Sequence, residues 1–200
     1  DAVTIANVGS VVDTTTYRVV DEQGNLCGER EVGELWLAGP SVTPGDWRNQ
    51  EATEKIFTTA LTDDDGAPER WLRTGDLVYT VEDRLLICGR VKELMIIHGR
   101  NYFPTDFERA AEAVDGVRKG GTVAFAHREA GMTADGVVMV CEVEDPQDES
   151  LQHKIEAAVA EAVGVHPYKV QLAPHYMIPK TSSGKRQRLL AKKLWLKLRS

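Results

Sequence analysis

The sequence predicts a mixed fold: a small β-rich, barrel-like subdomain over residues 1–88, then an α+β domain over residues 89–200. Two observations carry that division. Over residues 1–45, β-branched and aromatic residues come in short runs separated by turn residues with glycine, the pattern of a small barrel or curled sheet. After Gly89-Arg90 the rhythm changes to short strands alternating with longer amphipathic stretches, which suits helices packed on a small sheet.

Taken in order, residues 16–20 are rich in β formers, 21–25 make a turn, and 32–38 return as a second strand closed by Gly39-Pro40. Residues 50–57 suit a short helix and 61–70 an acidic, glycine-containing loop. Trp71-Leu72-Arg73 leads into Thr74-Gly75-Asp76, after which 77–79 and 84–88 can pair as a hairpin across 80–83. In the second region, 94–97 form a short apolar strand, Gly99-Arg100-Asn101 a turn, and Pro104 opens a helix ending near Asp115-Gly116. Asp106 and Glu108 lie in the early turns of that helix, where negative charge complements the amino end. Strands follow at 121–127 and 136–144. Asp148 or Ser150 can cap a helix running through Val163, with Ile155, Ala158, Val159 and Ala162 buried and Gly164 at its end. A third short strand at 170–172 and a helix at 189–198 complete the chain, so that two helices against a small sheet make the core of the second domain.

With 42% hydrophobic and 28% charged residues in 200, the composition is that of a globular chain. The net charge of −7 is unevenly placed: residues 180–199 hold eight basic and no acidic side chains, against 16 basic and 31 acidic before them. An acidic body disfavours bulk nucleic-acid binding and leaves room for a focused anion site near the C-terminus. The three isolated cysteines, Cys27, Cys88 and Cys141, fit neither a disulfide framework nor a zinc spacing, which suits a reducing, cytoplasmic setting. There is no signal peptide and no run of 18 apolar residues. The chain has no initiator methionine and begins in apparent mid-domain sequence, so it is expected to be a piece of something longer.

Chemistry concentrates in Pro179-Lys180-Thr181-Ser182-Ser183-Gly184-Lys185-Arg186-Gln187-Arg188. Glycine lets backbone approach an anion and lysine supplies a mobile charge, so this is an anion-binding loop or simply an exposed basic one. It is not a Walker A loop, since the first glycine is absent and Arg186 stands where that motif needs a hydroxyl. Lys180, Arg186 and Arg188 read as field and solubility charges. Asp76, after a glycine at a strand edge, can accept both hydroxyls of a ribose or satisfy neighbouring backbone N–H groups. Arg90 can reach phosphate or ribose oxygens, or form an interdomain salt bridge. Lys92 is placed as a hinge would be, or is an ordinary exposed lysine. His98 and Asn101, beside Gly99 and Arg100, could meet a second substrate or be turn residues. The remaining histidines form no metal spacing, and Asp63-Asp64-Asp65 lacks the rest of a calcium loop. In the final helix Leu190, Leu194 and Leu198 form a stripe with Trp195 beside it; packing on its own domain is more economical than binding a partner, although peripheral membrane contact is open.

Together these stretches resemble the C-terminal portion of acyl-adenylate-forming enzymes, the superfamily of acyl-CoA synthetases, luciferases and nonribosomal adenylation domains. Gly33-Glu34-Leu35-Trp36-Leu37 through Gly39-Pro40-Ser41-Val42 and Gly45-Asp46-Trp47 to Phe57 is similar to the family's GELxIxGxxVxxGYW…TxxxF segment, with Asp46 where tyrosine is usual. Residues 71–77 match its RTGDL motif, residues 89–108 its GRxKDxIxxxGxNxxPxxIE motif, and PKTSSGKRQR its lysine loop. Four motifs in the right order span nearly the whole chain. Gly99-Arg100-Asn101-Tyr102-Phe103-Pro104 and the GPSV segment look most like fatty acyl-AMP ligases.

That resemblance implies a part of an ATP-dependent ligase that activates a fatty acid as acyl-AMP and passes it to the phosphopantetheine thiol of an acyl carrier protein, usually for polyketide or lipopeptide assembly. An acyl-CoA synthetase or amino-acid adenylation domain is the alternative, and a noncatalytic carrier-protein or lipid-surface module a third. It implies Asp76 as the ribose carboxylate, Arg90 near ribose and α-phosphate, and Lys92 as the hinge of the small domain. Lys185 would be the adenylation lysine, and His98, Gly99, Arg100 and Asn101 would line the face used in the thiol step. ATP and Mg2+ are the implied cofactors, held mainly by family segments that precede residue 1, so the piece alone is expected to be inactive.

Overall fold

In the computed structural model, which describes residues 7–12, 14–58, 61 and 70–199, the chain divides into two units, Asp1–Lys92 and Glu93–Ser200. The first is a curled antiparallel sheet. Its strands are β1 (Thr16–Val20), β2 (Gly33–Ala38), β3 (Phe57–Thr58), β4 (Trp71–Val81) and β5 (Arg84–Arg90), with the short helix α1 (Gln50–Ile56) before β3. The long strand β4 organises them. Leu72 has Leu37 of β2 on one side and Phe57 of β3 on the other, and Val78 has Gly33 of β2 and Ile87 of β5. Successive side chains on a strand point to opposite faces, and both faces are apolar here. Val19, Leu35, Val78 and Leu85 cluster on one side, Val20, Trp36, Ala38 and Trp71 on the other.

The hairpin is longer than expected, and Gly89 and Arg90 belong to β5. A bulge between Leu77 and Val78 lets the ladder continue, so that Leu77 partners Gly89 and Asp76 partners Arg90. The division between units falls after Lys92 rather than after residue 88, because breaking the chain at Gly89 would strip two ladder pairs. Residues 62–69, with the Asp63-Asp64-Asp65 run and most of the expected acidic loop, lie outside the described residues.

The second unit contains a hairpin of β6 (Met95–Ile97) and β7 (Arg100–Tyr102), then α2 (Pro104–Glu112), β8 (Val117–His127), β9 (Gly136–Val143), α3 (Glu149–Val163), β10 (Lys169–Ala173) and α4 (Arg188–Lys197). The sheet order is β10-β9-β8, with β8 antiparallel and β10 parallel to β9. Parallel neighbours need a long crossover, which α3 supplies. Asp148 is the cap, its carboxylate accepting the Leu151 N–H at 3.0 Å, while Ser150 donates to Asp148 instead. Gly164 ends the helix at φ 75°, a left-handed turn that costs glycine least.

Both faces of this sheet are covered, so that all three helices of the unit, rather than two, pack on it. Ala124, Val137, Met139 and Cys141 pack with Phe107 and Ala111 of α2 and with Leu151, Ile155 and Val159 of α3. On the opposite face Val123, Phe125 and Val138 meet Ile178, Ala191 and Trp195. Two expected faces are corrected. On α3 the buried stripe is Leu151, Ile155 and Val159, and Ala162 is exposed. On α4 the leucine stripe is turned outward, with Leu190, Leu194 and Leu198 at 40%, 43% and 74% exposure. Trp195 takes the inward position because its large ring fills the space against Phe125 while its indole N–H finds Gln171 Oε1 at 2.8 Å.

Candidate active site

Asp76 sits where β4 bends. Gly75 adopts φ +72°, a conformation that strains other residues, and its N–H donates to Glu34 Oε1 at 3.1 Å. The same buried carboxylate receives Arg73 Nε at 2.9 Å and the Trp36 indole N–H at 3.0 Å. Thr74 completes the bend: its hydroxyl donates to the Leu35 carbonyl at 2.8 Å and accepts the Asp76 N–H at 3.1 Å. Asp76 then presents Oδ1 to Arg90 Nε at 3.0 Å. This salt bridge lies inside the first unit, not between the two domains as the alternative reading of Arg90 had it. With the two side chains 25% and 62% exposed, such a pair contributes only about 0–1 kcal/mol, so opening it for a ligand hydroxyl or phosphate costs little.

Lys92 lies in a single 3₁₀ turn, Val91–Glu93, and is exposed. Beyond it the β6–β7 hairpin turns at His98 and Gly99, both left-handed at φ 49° and 76°. Two consecutive residues of positive φ match the right-handed twist of a tight hairpin. Met95 and Ile97 anchor the hairpin in the core, and His98, Gly99, Arg100 and Asn101 are all exposed at its tip.

Lys185 is also exposed, on a second hairpin in the same unit. Lys180 and Arg186 face each other as a bridge, Gln187 N–H bonds the Pro179 carbonyl at 2.9 Å, and Thr181 N–H bonds the Lys185 carbonyl at 2.8 Å. The Thr181 hydroxyl accepts the Lys185 N–H at 3.0 Å, and Gly184, at φ +80°, makes the reversal. The polar residues of this loop therefore fold it upon itself and leave the lysine ammonium at its edge.

Sequence reasoning missed what holds this hairpin, and misjudged two of its arginines. Arg186 and Arg188 are not solubility charges; their side chains are only 22% and 13% exposed. Arg188 grips the fully buried Glu108 with Nε and Nη2, each at 2.7 Å, and Glu93 with Nη1 at 2.6 Å. Arg186 bonds Glu112 at 2.7 Å, the Thr122 carbonyl at 3.1 Å and Glu108 at 3.2 Å. On the entering arm, the Ile178 N–H donates to the buried Glu142 at 2.8 Å, and Arg118 donates to the other carboxylate oxygen. Burial by itself would raise the Glu142 pKa, but the Ile178 N–H and Arg118 outweigh it and hold the carboxyl below its ordinary value. The available signal was Glu108 and Glu112, four residues apart on α2 among buried Phe107, Ala110 and Ala111. Carboxylates in that company need cations.

Asp76 and Arg90 are thus brought together in the first unit, and the hairpin tip and Lys185 both belong to the second. Among the described residues no group of three or more His, Cys, Asp or Glu side chains is placed to hold a metal ion, and no helix is long and apolar enough to cross a membrane.

No family model matches the chain. A Mycobacterium leprae protein with the provisional name fatty-acid–CoA ligase fadD21 is 36% identical over 183 residues, covering 86% of this chain and 31% of that protein. A structure of McyG A-PCP complexed with phenylalanyl-adenylate superposes with TM-score 0.81 at 32% identity, over 96% of this chain and 34% of that one. A structure from studies of fatty acyl-adenylate ligases from E. coli and L. pneumophila gives TM-score 0.78 at 30% identity, over 97% and 33%. The chain spans about a third of the length of the relatives it matches.

Proposed function

Because this chain belongs to the AMP-binding, adenylate-forming enzyme superfamily, related to fatty-acid–CoA ligases and nonribosomal adenylation domains, we propose that it is the C-terminal working part of a fatty acyl-AMP ligase. The observation that carries this is Lys185 itself, exposed on a hairpin whose two arms are tied to buried carboxylates. In the reaction a fatty-acid carboxylate oxygen attacks the α-phosphorus of ATP, the new O–P bond forms, and the bond to pyrophosphate breaks. The Lys185 ammonium lies between carboxylate and α-phosphate and stabilises the charge that builds there. Asp76 accepts the ribose hydroxyls, releasing Arg90 to ribose and phosphate oxygens. Magnesium accompanying ATP would counter the phosphate charge, although among the described residues no group of three or more His, Cys, Asp or Glu side chains is placed to hold it.

The acyl-adenylate then meets a phosphopantetheine thiol, whose sulfur bonds the acyl carbon as AMP departs and the thiol proton is lost. In this step Lys185 gives way to the tip formed by His98, Gly99, Arg100 and Asn101, through rotation at Lys92. Exposure of both hairpins, each rigidly based, suits such alternation.

The comparisons support the alternative, an acyl-CoA synthetase or an amino-acid adenylation domain, better than the carrier-protein ligase: the M. leprae relative is named for coenzyme A ligation, and the McyG structure holds phenylalanyl-adenylate. The full-length protein, given ATP, dodecanoate and either coenzyme A or a phosphopantetheinylated acyl carrier protein, separates the two. Acyl-carrier formation well above acyl-CoA formation is the expected result; efficient acyl-CoA formation assigns the chain to the synthetases. Absence of acid-dependent pyrophosphate exchange in that protein would remove both readings. The same exchange assay on residues 1–200 alone is expected to show no activity.

A further inference from the structure

We propose that Arg188, with Glu93 and Glu108, is a positioning clamp for Lys185, fixing the lysine hairpin to the first residue after the hinge. The inference rests on the functional reading of Lys185 given above. Its ground is the geometry of one guanidinium. Two of its nitrogens hold Glu108, a fully buried carboxylate that also accepts the Ala124 N–H of β8 at 3.1 Å. The third nitrogen holds Glu93, which opens the second unit and directly follows Lys92. Planar bidentate pairing fixes the direction of a side chain as well as its distance.

Arg188 stands three residues beyond Lys185, with Arg186 between them bonded to Glu112 and Glu108. The exit of the hairpin, its supporting helix and the residue next to Lys92 therefore share one ionic cluster. Burial would lower the Arg188 pKa, but Glu108 and Glu93 raise it above its already high value, so the clamp stays charged at any working pH. Through it, movement at Lys92 carries the Lys185 hairpin as a rigid piece. Misplacing a reacting or stabilising group by about 1 Å can cost on the order of a hundredfold in rate. Lys185 serves only the adenylation step, so a loosened clamp weakens that step alone.

The test uses the full-length enzyme with dodecanoate and ATP for the first step, and supplied dodecanoyl-AMP with pantetheine for the second. Arg188→Lys keeps the charge and loses the fork; Glu93→Gln is a milder change at a partly exposed position that keeps the experiment readable if the first variant folds poorly. The expected result is adenylation slowed about ten- to a hundredfold by Arg188→Lys, and less by Glu93→Gln, with the pantetheine step within about twofold of wild type. Parallel loss of both steps would mean a general structural role and overturn the proposal, as would no change in either step or loss of the second alone. Lys185→Ala run alongside separates the two levels of inference. If it abolishes adenylation while both clamp variants behave as wild type, only the clamp is refuted. If Lys185→Ala leaves adenylation intact, the functional reading falls and the clamp with it.

Discussion

A single buried carboxylate, Glu34, decides how Asp76 is offered to solvent. It takes N–H donors from Gly75, Arg73 and Trp36, residues that the sequence separates from it by as many as 41 positions. Hydrogen bonds to a charged group contribute about 1.5–3 kcal/mol, and a donor left unpaired costs about 1–3 kcal/mol. Glu34→Ala is therefore expected to lower unfolding free energy by about 2–4 kcal/mol, read as a shift in the urea midpoint; a shift within error would show that the bend holds itself. At Asp76 the expectation concerns the nucleotide. Asp76→Asn in the full-length protein should lower kcat/KM for ATP about ten- to a hundredfold and narrow the preference for ATP over 3′-deoxy-ATP. An unaltered ratio between the two nucleotides would take Asp76 away from the ribose. Asp76 and Arg90 could be singled out because each lies in a contiguous motif, and their roles rest on the nucleotide comparison. Glu34 was not singled out, since its task exists only once β2 and β4 are paired.

Elements show the same division between what runs along the chain and what crosses it. The cap at Asp148 and the stop at Gly164 are local, and the sequence placed that helix close to where it lies; the turn expected at Gly99-Arg100-Asn101 falls earlier, at His98-Gly99, because Arg100 and Asn101 pair with Ile97 and Ile96 as a second strand. On α4 it could not choose between two apolar stripes of equal period. Leu190, Leu194 and Leu198 recur every four residues, and so do Ala191 and Trp195. Only the space beside Phe125 selects the second. Arg186 and Arg188 were misread for a related reason: a basic run looks solvated until α2 supplies Glu108 and Glu112. The anchoring of the lysine hairpin has a pH signature. Glu142 is held ionised below its ordinary pKa, so its contribution is complete above the unfolded value near 4.3 and is lost as pH falls through the lower folded value. Glu142→Gln should flatten the acid limb of the stability curve in that window, measured by thermal midpoints from pH 6 to pH 3. An unchanged limb would place the acid sensitivity elsewhere. The core of the same unit offers a chemical check. Burial pushes the Cys141 thiol up to about 12, so iodoacetamide at about pH 8 should leave it untouched in the native protein and alkylate it after unfolding. Rapid native-state labelling would contradict the packing of β9.

At the scale of the whole chain, the order of the four motifs carried more than any one of them, because each matches short patterns that arise often by chance. The curled sheet and the α+β unit were both legible from the change of rhythm near residue 89, and the exact division was displaced by two ladder pairs that no periodicity reports. The account of function comes down to the cation at position 185 acting in one half of a two-step reaction. In the full-length protein, Lys185→Ala should reduce dodecanoate-dependent ATP–pyrophosphate exchange about a hundred- to a thousandfold, as expected for loss of one charge-stabilising donor. Transfer from supplied dodecanoyl-AMP to pantetheine should persist. Exchange at the wild-type rate, or equal loss of both steps, would contradict the assignment.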